Sequence, residues 1–182
     1  NKRNTVDGSK MNKYRSHSCA ELSIKNLGDM VVLSGWADTI RDHGNLIFID
    51  LRDNEGVTQC VIDGKHDLFK EVSKLSNESV ITINGEVVKR SDETINSSLS
   101  TGEIEIKIQD YKLLSRSEVL PLPVNSDIDY GEEIRLKYRF LDLRRKKLHS
   151  NILLRNKIIS DIRKKMIEKN FVEFQTPILT SS

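Results

Sequence analysis

The sequence predicts a mainly β fold with some α-helix: a small five-stranded barrel, then a linker, then one long helix and a strand that begin an α+β unit. Three observations support this prediction. Three short strand patterns follow one another within residues 30–62, a helical pattern comes after them, and two more strand patterns precede a segment with two prolines. At 182 residues, with 37% apolar content, the chain is long enough for one domain and part of another.

The middle strand, over residues 45–52, is the centre of this prediction. Side chains alternate between the two faces of a strand, so Ile47, Ile49 and Leu51 form a core face, while Phe48 lies on the opposite, charged face. An aromatic side chain at the centre of a charged strand face is typical of a stacking platform for a nucleic-acid base. A loop or a neighbouring domain covering Phe48 would explain the pattern equally well.

The segments around this strand are assigned in chain order. Residues 18–26 are predicted to form a short helix, with Ser18 and Glu21 as a capping box and Gly28 at its end. The remaining barrel elements are a strand over 30–38, a loop over 39–44, a turn over 53–56, a strand over 57–62, a helix over 67–76, a strand over 79–90 with a bend or bulge at Gly85, a loop over 91–102 and a strand over 103–113.

Three strands, a helix and two further strands follow the order of the OB-fold, a small Greek-key barrel. This fold binds oligonucleotides across its second and third strands and the loops after its first and fourth strands. Five positions fall in that region: Arg41 in the first loop, Phe48 and Gln59 on the two strands, Arg90 at the start of the later loop, and Glu105 at the start of the fifth strand. Their convergence favours the ligand-facing interpretation of Phe48.

Four segments make up the predicted domain organisation. Residues 1–13 form a disordered tail or an expression remnant, 14–117 the barrel, 118–147 a linker or hinge, and 148–182 the start of a second domain. The last segment has a long helix over 149–170 and a strand beginning at Phe171, which Pro177 ends or distorts. One helix and one strand cannot close a core, so further chain or a partner must complete this domain.

The charge is unevenly distributed along the chain. Residues 1–134 carry a net charge of −7, whereas residues 135–169 carry +10. A barrel with an acidic balance is not a generic nucleic-acid binder, so RNA binding there would depend on a few placed contacts. The basic segment is either a phosphate-facing surface or the solvated face of a helix.

Several function classes are excluded by what the sequence lacks. No run of eighteen apolar residues predicts a membrane span, and the first residues have no apolar core of a secretory signal. Cys19 and Cys60 match no metal or disulfide spacing, and the four histidines form no ligand set. We therefore expect a cytoplasmic protein with reduced cysteines, no metal site and no membrane partner.

Several segments, in the same order, resemble the amino-terminal part of a bacterial-type aspartyl-tRNA synthetase, a class II enzyme. They are LSGWADTIRDHGNLIFIDLRDNEGVTQCVID, RSDETIN, TGEIEI, VLPLPV, RLKYRFLDLRR and FVEFQTPILT. Together they cover about residues 14–182. The last two segments are similar to the first of the class II motifs, with Pro177 at the proline of that motif.

This resemblance implies an anticodon-binding barrel, a hinge and the first motif of a catalytic domain, a motif that helps to form a homodimer in the family. The complete enzyme would attach aspartate to tRNA with ATP and Mg²⁺. The family motifs that hold ATP and the aminoacyl-adenylate are not in this chain, so we expect no catalytic residue, no cofactor and no activity from it alone. The implied partners are tRNA(Asp), with tRNA(Asn) as a second candidate, and a second copy of the full-length protein.

The resemblance also implies roles for the candidate site residues. The aromatic that stacks on the middle anticodon base falls on Phe48, and the glutamine that hydrogen-bonds this base falls on Gln59. The acidic residue that reads the first anticodon base falls on Glu105. The arginines of the two binding loops fall on Arg41 and Arg90.

Two further positions bear on specificity and affinity. A histidine at the position of His43, near the third anticodon base, is associated in the family with enzymes that also charge the asparagine tRNA. The family often has three consecutive basic residues before the aspartate of the first loop, whereas this chain has Thr39, Ile40 and Arg41. With two such contacts missing, we expect RNA binding to be weaker or less dependent on salt.

Two other functions fit the barrel. It could be a stand-alone OB-fold protein that binds single strands without sequence choice, or a protein-interaction barrel with Phe48 as an interface anchor. The acidic balance argues against the first, because such proteins follow the nucleic-acid backbone with a basic groove. The hinge and the strand with Pro177 argue against both, because neither role needs them.

Overall fold

A computed structural model describes residues 13–126 and 128–176. The chain divides into two compact units, Asn1–Leu120 and Pro121–Ser182. The regular elements are β1 (Met30–Asp42), β2 (Leu46–Arg52), β3 (Val57–Asp63), α1 (Phe69–Val72), β4 (Val80–Lys89), β5 (Ile104–Ser115), α2 (Glu132–Lys137), α3 (Arg139–Asp142), α4 (Lys146–Glu168), and two 3₁₀ turns at Ile24–Asn26 and Asp92–Thr94.

The first unit is a closed barrel with the strand order β1-β2-β3-β5-β4. Strands β3 and β5 run parallel, and the other neighbouring strands are antiparallel. Closure gives every strand two neighbours, so the sheet has no free edge. The predicted mainly β fold with a five-stranded OB-fold barrel is confirmed.

The barrel core is built from the apolar side chains that alternate inward along the strands. Ile47, Ile49 and Leu51 of β2 are fully buried, as the alternation predicted, and so are Ile104 and Ile106 of β5. Burying a side chain of this size stabilises the fold by about 1.5–3 kcal/mol. The opposite face of the same strands is therefore free to carry polar side chains.

The helix predicted over residues 18–26 is absent, and only the 3₁₀ turn at Ile24–Asn26 forms there. The main-chain N–H of Cys19 donates to Asp53 Oδ2 at 2.9 Å, and its carbonyl accepts from Thr58 Oγ1 at 2.7 Å. These bonds to the barrel replace the bonds that a helix would need. The carboxylate of Glu21 still accepts from the Ser18 N–H at 2.6 Å, which is one half of the predicted capping box.

Strand β1 is four residues longer than predicted and extends to Asp42. A register shift between Ala37 and Thr39 keeps the strand paired with β2, so Arg41 lies opposite Phe48. The predicted loop over residues 39–44 is therefore wrong for residues 39–42, and Arg41 lies on a strand. The hairpin turn that follows contains Gly44 at a φ of +81°, a conformation that favours glycine.

Two other predictions for the barrel have mixed outcomes. The helix predicted over residues 67–76 is regular only at Phe69–Val72, because tighter bonds such as Leu75 N–H to the Val72 carbonyl end it early. Its apolar spacing still works, since Val72 and Leu75 are buried in the core. The bulge predicted at Gly85 is present as a register shift between β4 and β5.

The second unit contains the three helices α2, α3 and α4. Helix α4 begins at Lys146 and ends at Glu168, and Asn170, just beyond its C-cap, has a φ of +64°. The strand predicted from Phe171 is not formed over residues 171–176, where the main chain has no partner strand among the described residues. Pro177, which was predicted to end this strand, lies outside the described residues. No helix among the described residues has the length and apolar character of a membrane span.

Asp142 is the centre of a charged cluster in this second unit. Its side chain is only 1% exposed and lies 3.3 Å from Arg135 Nε, 2.8 Å from Arg139 Nη1 and 3.6 Å from Arg145 Nη1. Arg145 also donates to the carbonyl of Ser126 at 2.9 Å. One carboxylate therefore ties α2 and α3 to the start of α4. Helix α4 carries an apolar stripe whose side chains are exposed: Ile152, Ile159, Ile162 and Met166.

Candidate nucleic-acid interface

The outward side of four neighbouring strands forms one continuous polar face. We define this polar face by Arg41 of β1, Phe48 and Asp50 of β2, Gln59 of β3 and Glu105 of β5. The strand register brings them together, because Arg41 lies opposite Phe48 and Asp50 lies opposite Gln59. The parallel pairing of Cys60 with Ile106 places their preceding residues, Gln59 and Glu105, side by side.

A row of hydrogen bonds runs across the polar face. Arg41 donates from Nη1 to Asp50 Oδ2 at 2.7 Å and from Nη2 to Asp50 Oδ1 at 2.8 Å, a bidentate pair. The same Nη2 also donates to Gln59 Oε1 at 3.2 Å. Gln59 Nε2 in turn donates to Glu105 Oε2 at 2.8 Å. Asp50, Arg41, Gln59 and Glu105 thus form one connected network.

The polar face carries one basic side chain, Arg41, and two acidic side chains, Asp50 and Glu105. The hydrogen bonds that Arg41 donates to Asp50 raise the pKa of the Arg41 guanidinium, so Arg41 remains a cation. Arg41 is 40% exposed and Asp50 17% exposed at the side chain. A face of this kind offers placed hydrogen-bonding groups rather than the strong positive field of a sequence-blind binder.

Phe48 is half-buried at the centre of this face. Its register partner on β3 is Val61. The ring of His43 stands edge-on to the Phe48 ring, with centroids 5.5 Å apart and planes at 85°. His43 itself is exposed in the β1–β2 turn. The phenyl ring is therefore held by its neighbours and still partly accessible, which is what stacking with a base requires.

Arg90 lies beneath the polar face and not on it. The residue is 4% exposed, its Nε donates to the Ile104 carbonyl at 2.9 Å, and its Nη1 donates to the Thr94 carbonyl at 3.4 Å. No hydrogen-bond acceptor for its Nη2 is found among the described residues. Burial lowers the pKa of Arg90, and the neighbouring Glu105 and Asp50 carboxylates partly offset this effect.

A second ionic cluster lies further along β2, where Arg52 faces Trp36. The guanidinium of Arg52 lies 5.5 Å from the Trp36 ring centroid and 3.3 Å from Asp38 Oδ1, and it also pairs with Glu78. Burial raises the pKa of Asp38. This cluster supports the bulge of β1 and is largely buried, so we regard it as structural.

The structure thus brings together most of the site residues that the sequence suggested. Arg41, Gln59 and Glu105 are joined by hydrogen bonds, and Phe48 contacts His43. Sequence reasoning did not single out Asp50, although an acidic residue two positions after the aromatic shares its strand face and was a usable signal. Pro177 cannot be placed, since it lies outside the described residues.

The comparisons with known proteins agree with this geometry. Residues 31–114 match a family described as an OB-fold nucleic acid binding domain, and residues 131–182 match the class II tRNA synthetases (D, K and N). The chain is 61% identical, over 172 residues and 94% of its length, to the aspartate–tRNA(Asp/Asn) ligase of Pelagibacter ubique. Over nearly its whole length the chain is similar to aspartate–tRNA ligases, as the sequence predicted.

Another synthetase of the family, the aspartate–tRNA(Asp/Asn) ligase of Parvibaculum lavamentivorans, is 55% identical over 94% of this chain. The chain spans 29% of the Pelagibacter synthetase and 28% of the Parvibaculum synthetase. Among solved structures, the asparaginyl-tRNA synthetase of Pyrococcus horikoshii has a TM-score of 0.78 at 24% identity, over 90% of this chain and 38% of that chain. At this identity the likeness shows a shared fold. The predicted resemblance is confirmed by the 61% and 55% identities to the two ligases.

Proposed function

We propose that this chain is the anticodon-binding part of an aspartate–tRNA ligase, which attaches aspartate to tRNA in an ATP-dependent reaction of protein synthesis. The observation that carries the proposal is the half-exposed ring of Phe48 beside a glutamine whose amide is held on both sides. A single-stranded base stacked on Phe48 would meet Gln59 diagonally across the strand pair. Stacking and edge contacts together are how proteins read unpaired RNA bases.

Each residue of the polar face has a definite chemical role in this proposal. Phe48 supplies stacking worth about 1–3 kcal/mol per base. Gln59 retains one N–H and one lone pair for the edge of a pyrimidine, and Glu105 retains Oε1 as an acceptor for the edge of a guanine. Arg41 presents its remaining N–H groups to the anticodon loop. Arg90 is buried, Nη2 included, and its positive charge attracts the Glu105 carboxylate.

We propose tRNA(Asp) as the first partner and tRNA(Asn) as a second substrate. The named relatives are ligases for both tRNAs, and the exposed His43 next to Phe48 is the residue that we associate with acceptance of the asparagine anticodon. The test is aminoacylation of both purified tRNAs by the full-length enzyme. Comparable charging of the two supports dual specificity, whereas a strong preference for tRNA(Asp) would exclude it.

The remaining steps belong to the part of the synthetase that this chain does not span. Among residues 13–126 and 128–176 no group of three side chains is placed to hold a metal ion. We propose that ATP, Mg²⁺ and the aspartyl-adenylate are bound by the rest of the full-length enzyme, and that the chain alone binds RNA without aminoacylation. A cytoplasmic homodimer, with Pro177 in its dimer motif, completes the proposal.

The proposal is tested by titrating the chain at fixed salt with the anticodon stem-loop of tRNA(Asp) and with the same loop altered at its middle base. Phe48→Ala is run beside the wild type, with Phe140→Ala as the control, because Phe140 is an exposed phenylalanine of the second unit. We expect tight binding that is lost on changing the base or Phe48 and kept in the control. Equal binding of both loops would point instead to a sequence-blind OB-fold. If neither loop bound, a protein-interaction barrel would be favoured.

A further inference from the structure

Asp50 is an ionised side chain on the polar face with no assigned role. Both of its oxygens accept hydrogen bonds from Arg41, at 2.7 and 2.8 Å. Both oxygens of Asp50 are therefore engaged by Arg41, which leaves one lone pair on each for any other donor. A carboxylate also repels the phosphates of an RNA strand, so its presence at the centre of an RNA site needs an explanation.

The explanation lies in the amide of Gln59. An arginine can only donate hydrogen bonds and an ionised carboxylate can only accept them. Arg41 on one side and Glu105 on the other therefore permit one orientation of the amide, with Oε1 towards Arg41 and Nε2 towards Glu105. If the amide turned over, its N–H groups would face the N–H groups of Arg41, and its oxygen would face the Glu105 carboxylate.

Arg41 can impose this orientation only if it stays in place. It is a long, flexible side chain, 40% exposed, next to the binding surface of a polyanion. The bidentate pair with Asp50 holds its planar guanidinium in a single geometry, and Asp50 is also the register partner of Gln59 on the neighbouring strand. Asp50 thus positions Arg41, and Arg41 in turn orients the Gln59 amide.

We propose that Asp50 is a positioning residue that sets base selectivity: through Arg41 it fixes the direction of the Gln59 amide and keeps Arg41 away from the phosphates. This inference rests on the proposed anticodon-binding function. Without the Asp50 carboxylate, Arg41 would turn to the RNA backbone, and Gln59 would accept bases of either hydrogen-bonding pattern. Selectivity would fall while electrostatic attraction rose.

The first test uses the free chain and needs no RNA. In the wild type, the side-chain amide resonances of Gln59 should differ from those of Gln109, which is exposed on β5. In Asp50→Asn the Gln59 resonances should move towards the Gln109 positions. In Asp110→Asn, which removes the same charge from β5 instead of β2, they should keep their wild-type positions. Gln59 resonances that are the same in Asp50→Asn and the wild type would overturn the positioning role.

The second test measures binding of the two stem-loops at several salt concentrations. For Asp50→Asn we expect about a tenfold loss of discrimination at the middle base, together with a salt slope steeper by about 0.7, the value for one new single-strand phosphate contact. Asp110→Asn should keep the wild-type ratio of affinities. In an Arg41→Met background, Asp50→Asn should have no further effect on discrimination, because its action passes through Arg41.

The outcomes separate this inference from the proposed function. A wild type that binds both loops equally would overturn the proposed function and the claim about selectivity together. A wild type that discriminates, with an Asp50→Asn variant that is folded by its thermal transition and discriminates equally well, would overturn the inference alone. The inference alone would also be overturned if Asp50→Asn caused the same loss of discrimination in the Arg41→Met background as in the wild type.

Discussion

The carboxylate of Asp53 accepts a hydrogen bond at 2.9 Å from the main-chain N–H of Cys19, a residue far earlier in the chain. The same side chain accepts from the N–H groups of Glu55 and Gly56 in the β2–β3 turn and lies 3.3 Å from Arg15 Nη1. One aspartate therefore closes the hairpin and holds the amino-terminal segment on the barrel. This segment supplies the buried Cys19 to the core.

We predict that Asp53→Ala lowers the free energy of unfolding by about 3 kcal/mol, because several main-chain donors lose a charged acceptor at once. Urea denaturation of the wild type and the variant measures this difference. The control is Asp63→Ala, since Asp63 Oδ1 accepts from the Lys65 N–H within a local turn, and its loss should cost about 1 kcal/mol. Equal losses in the two variants would contradict the role given to Asp53.

The bulge at Gly85 leads to a prediction about the barrel closure. A Cβ at this position would lie 2.4 Å from the Lys107 carbonyl oxygen and 2.7 Å from Ile106 Cγ2. Since both atoms belong to the paired strand β5 and cannot move freely, Gly85→Ala should destabilise the barrel by about 3 kcal/mol. Thermal and urea unfolding test this value.

Gly131→Ala serves as the control for that experiment. A Cβ at Gly131 would meet no atom within 4 Å, so the expected loss is below about 1 kcal/mol. A Gly85 variant as stable as the Gly131 variant would show that the strands separate easily at the bulge, contrary to the contacts described here.

Glu21 leads to a prediction about pH. The hydrogen bond from the Ser18 N–H lowers the pKa of Glu21 below its ordinary 4.5, so the ionised form favours the folded state. This stabilisation is complete above the unfolded-state pKa and is lost as the pH falls through the folded-state pKa. The cost of Glu21→Gln should therefore be largest near pH 7 and shrink below pH 4.5.

Urea midpoints of the wild type and Glu21→Gln, measured at pH 7 and at successively lower pH, give this comparison. The difference is expected to be small, because Glu21 is exposed. A difference that stays constant with pH would mean that the carboxylate charge does not contribute to the cap.

We predict that substitution of Arg90 mainly affects stability, whereas substitution of Arg41 mainly affects RNA binding. Arg90→Lys loses the donors to the Ile104 and Thr94 carbonyls, so we expect a loss of about 2 kcal/mol in stability. We expect almost no change in the salt dependence of RNA binding, because the guanidinium is buried. Arg41→Lys, at an exposed position, should instead reduce base discrimination with a smaller effect on stability.

Denaturation and stem-loop titration on both variants make this comparison directly. A salt slope that becomes shallower by about 0.7 in Arg90→Lys would mean that Nη2 of Arg90 reaches a phosphate in the complex. In that case the loop over residues 91–102 would have to move when RNA binds.

Much of the fold was predictable because local patterns and tertiary packing agree. The alternation in β2 identified the buried Ile47, Ile49 and Leu51, and the order of elements identified the barrel. The predictions failed where distant bonds decided the outcome. Residues 18–26 carry helix signals, but Asp53 and Thr58 take the main-chain groups of Cys19. The end of β1 was assigned to a loop because its bulge shifts the alternation by one residue.

The sequence by itself determined the order of the elements along the chain and the inward face of β2, and it singled out Phe48, Gln59 and Glu105 as candidates. Strand periodicity and family motifs can be read from neighbouring residues. Only the tertiary structure decided how the charged groups pair. Asp50 lies nine positions from Arg41 and from Gln59, and Glu105 lies much further along the chain, yet the antiparallel register and barrel closure place all four in one network. The same closure buries Arg90 beneath that network. Pairing of this kind depends on register, which no single segment of the chain can specify alone.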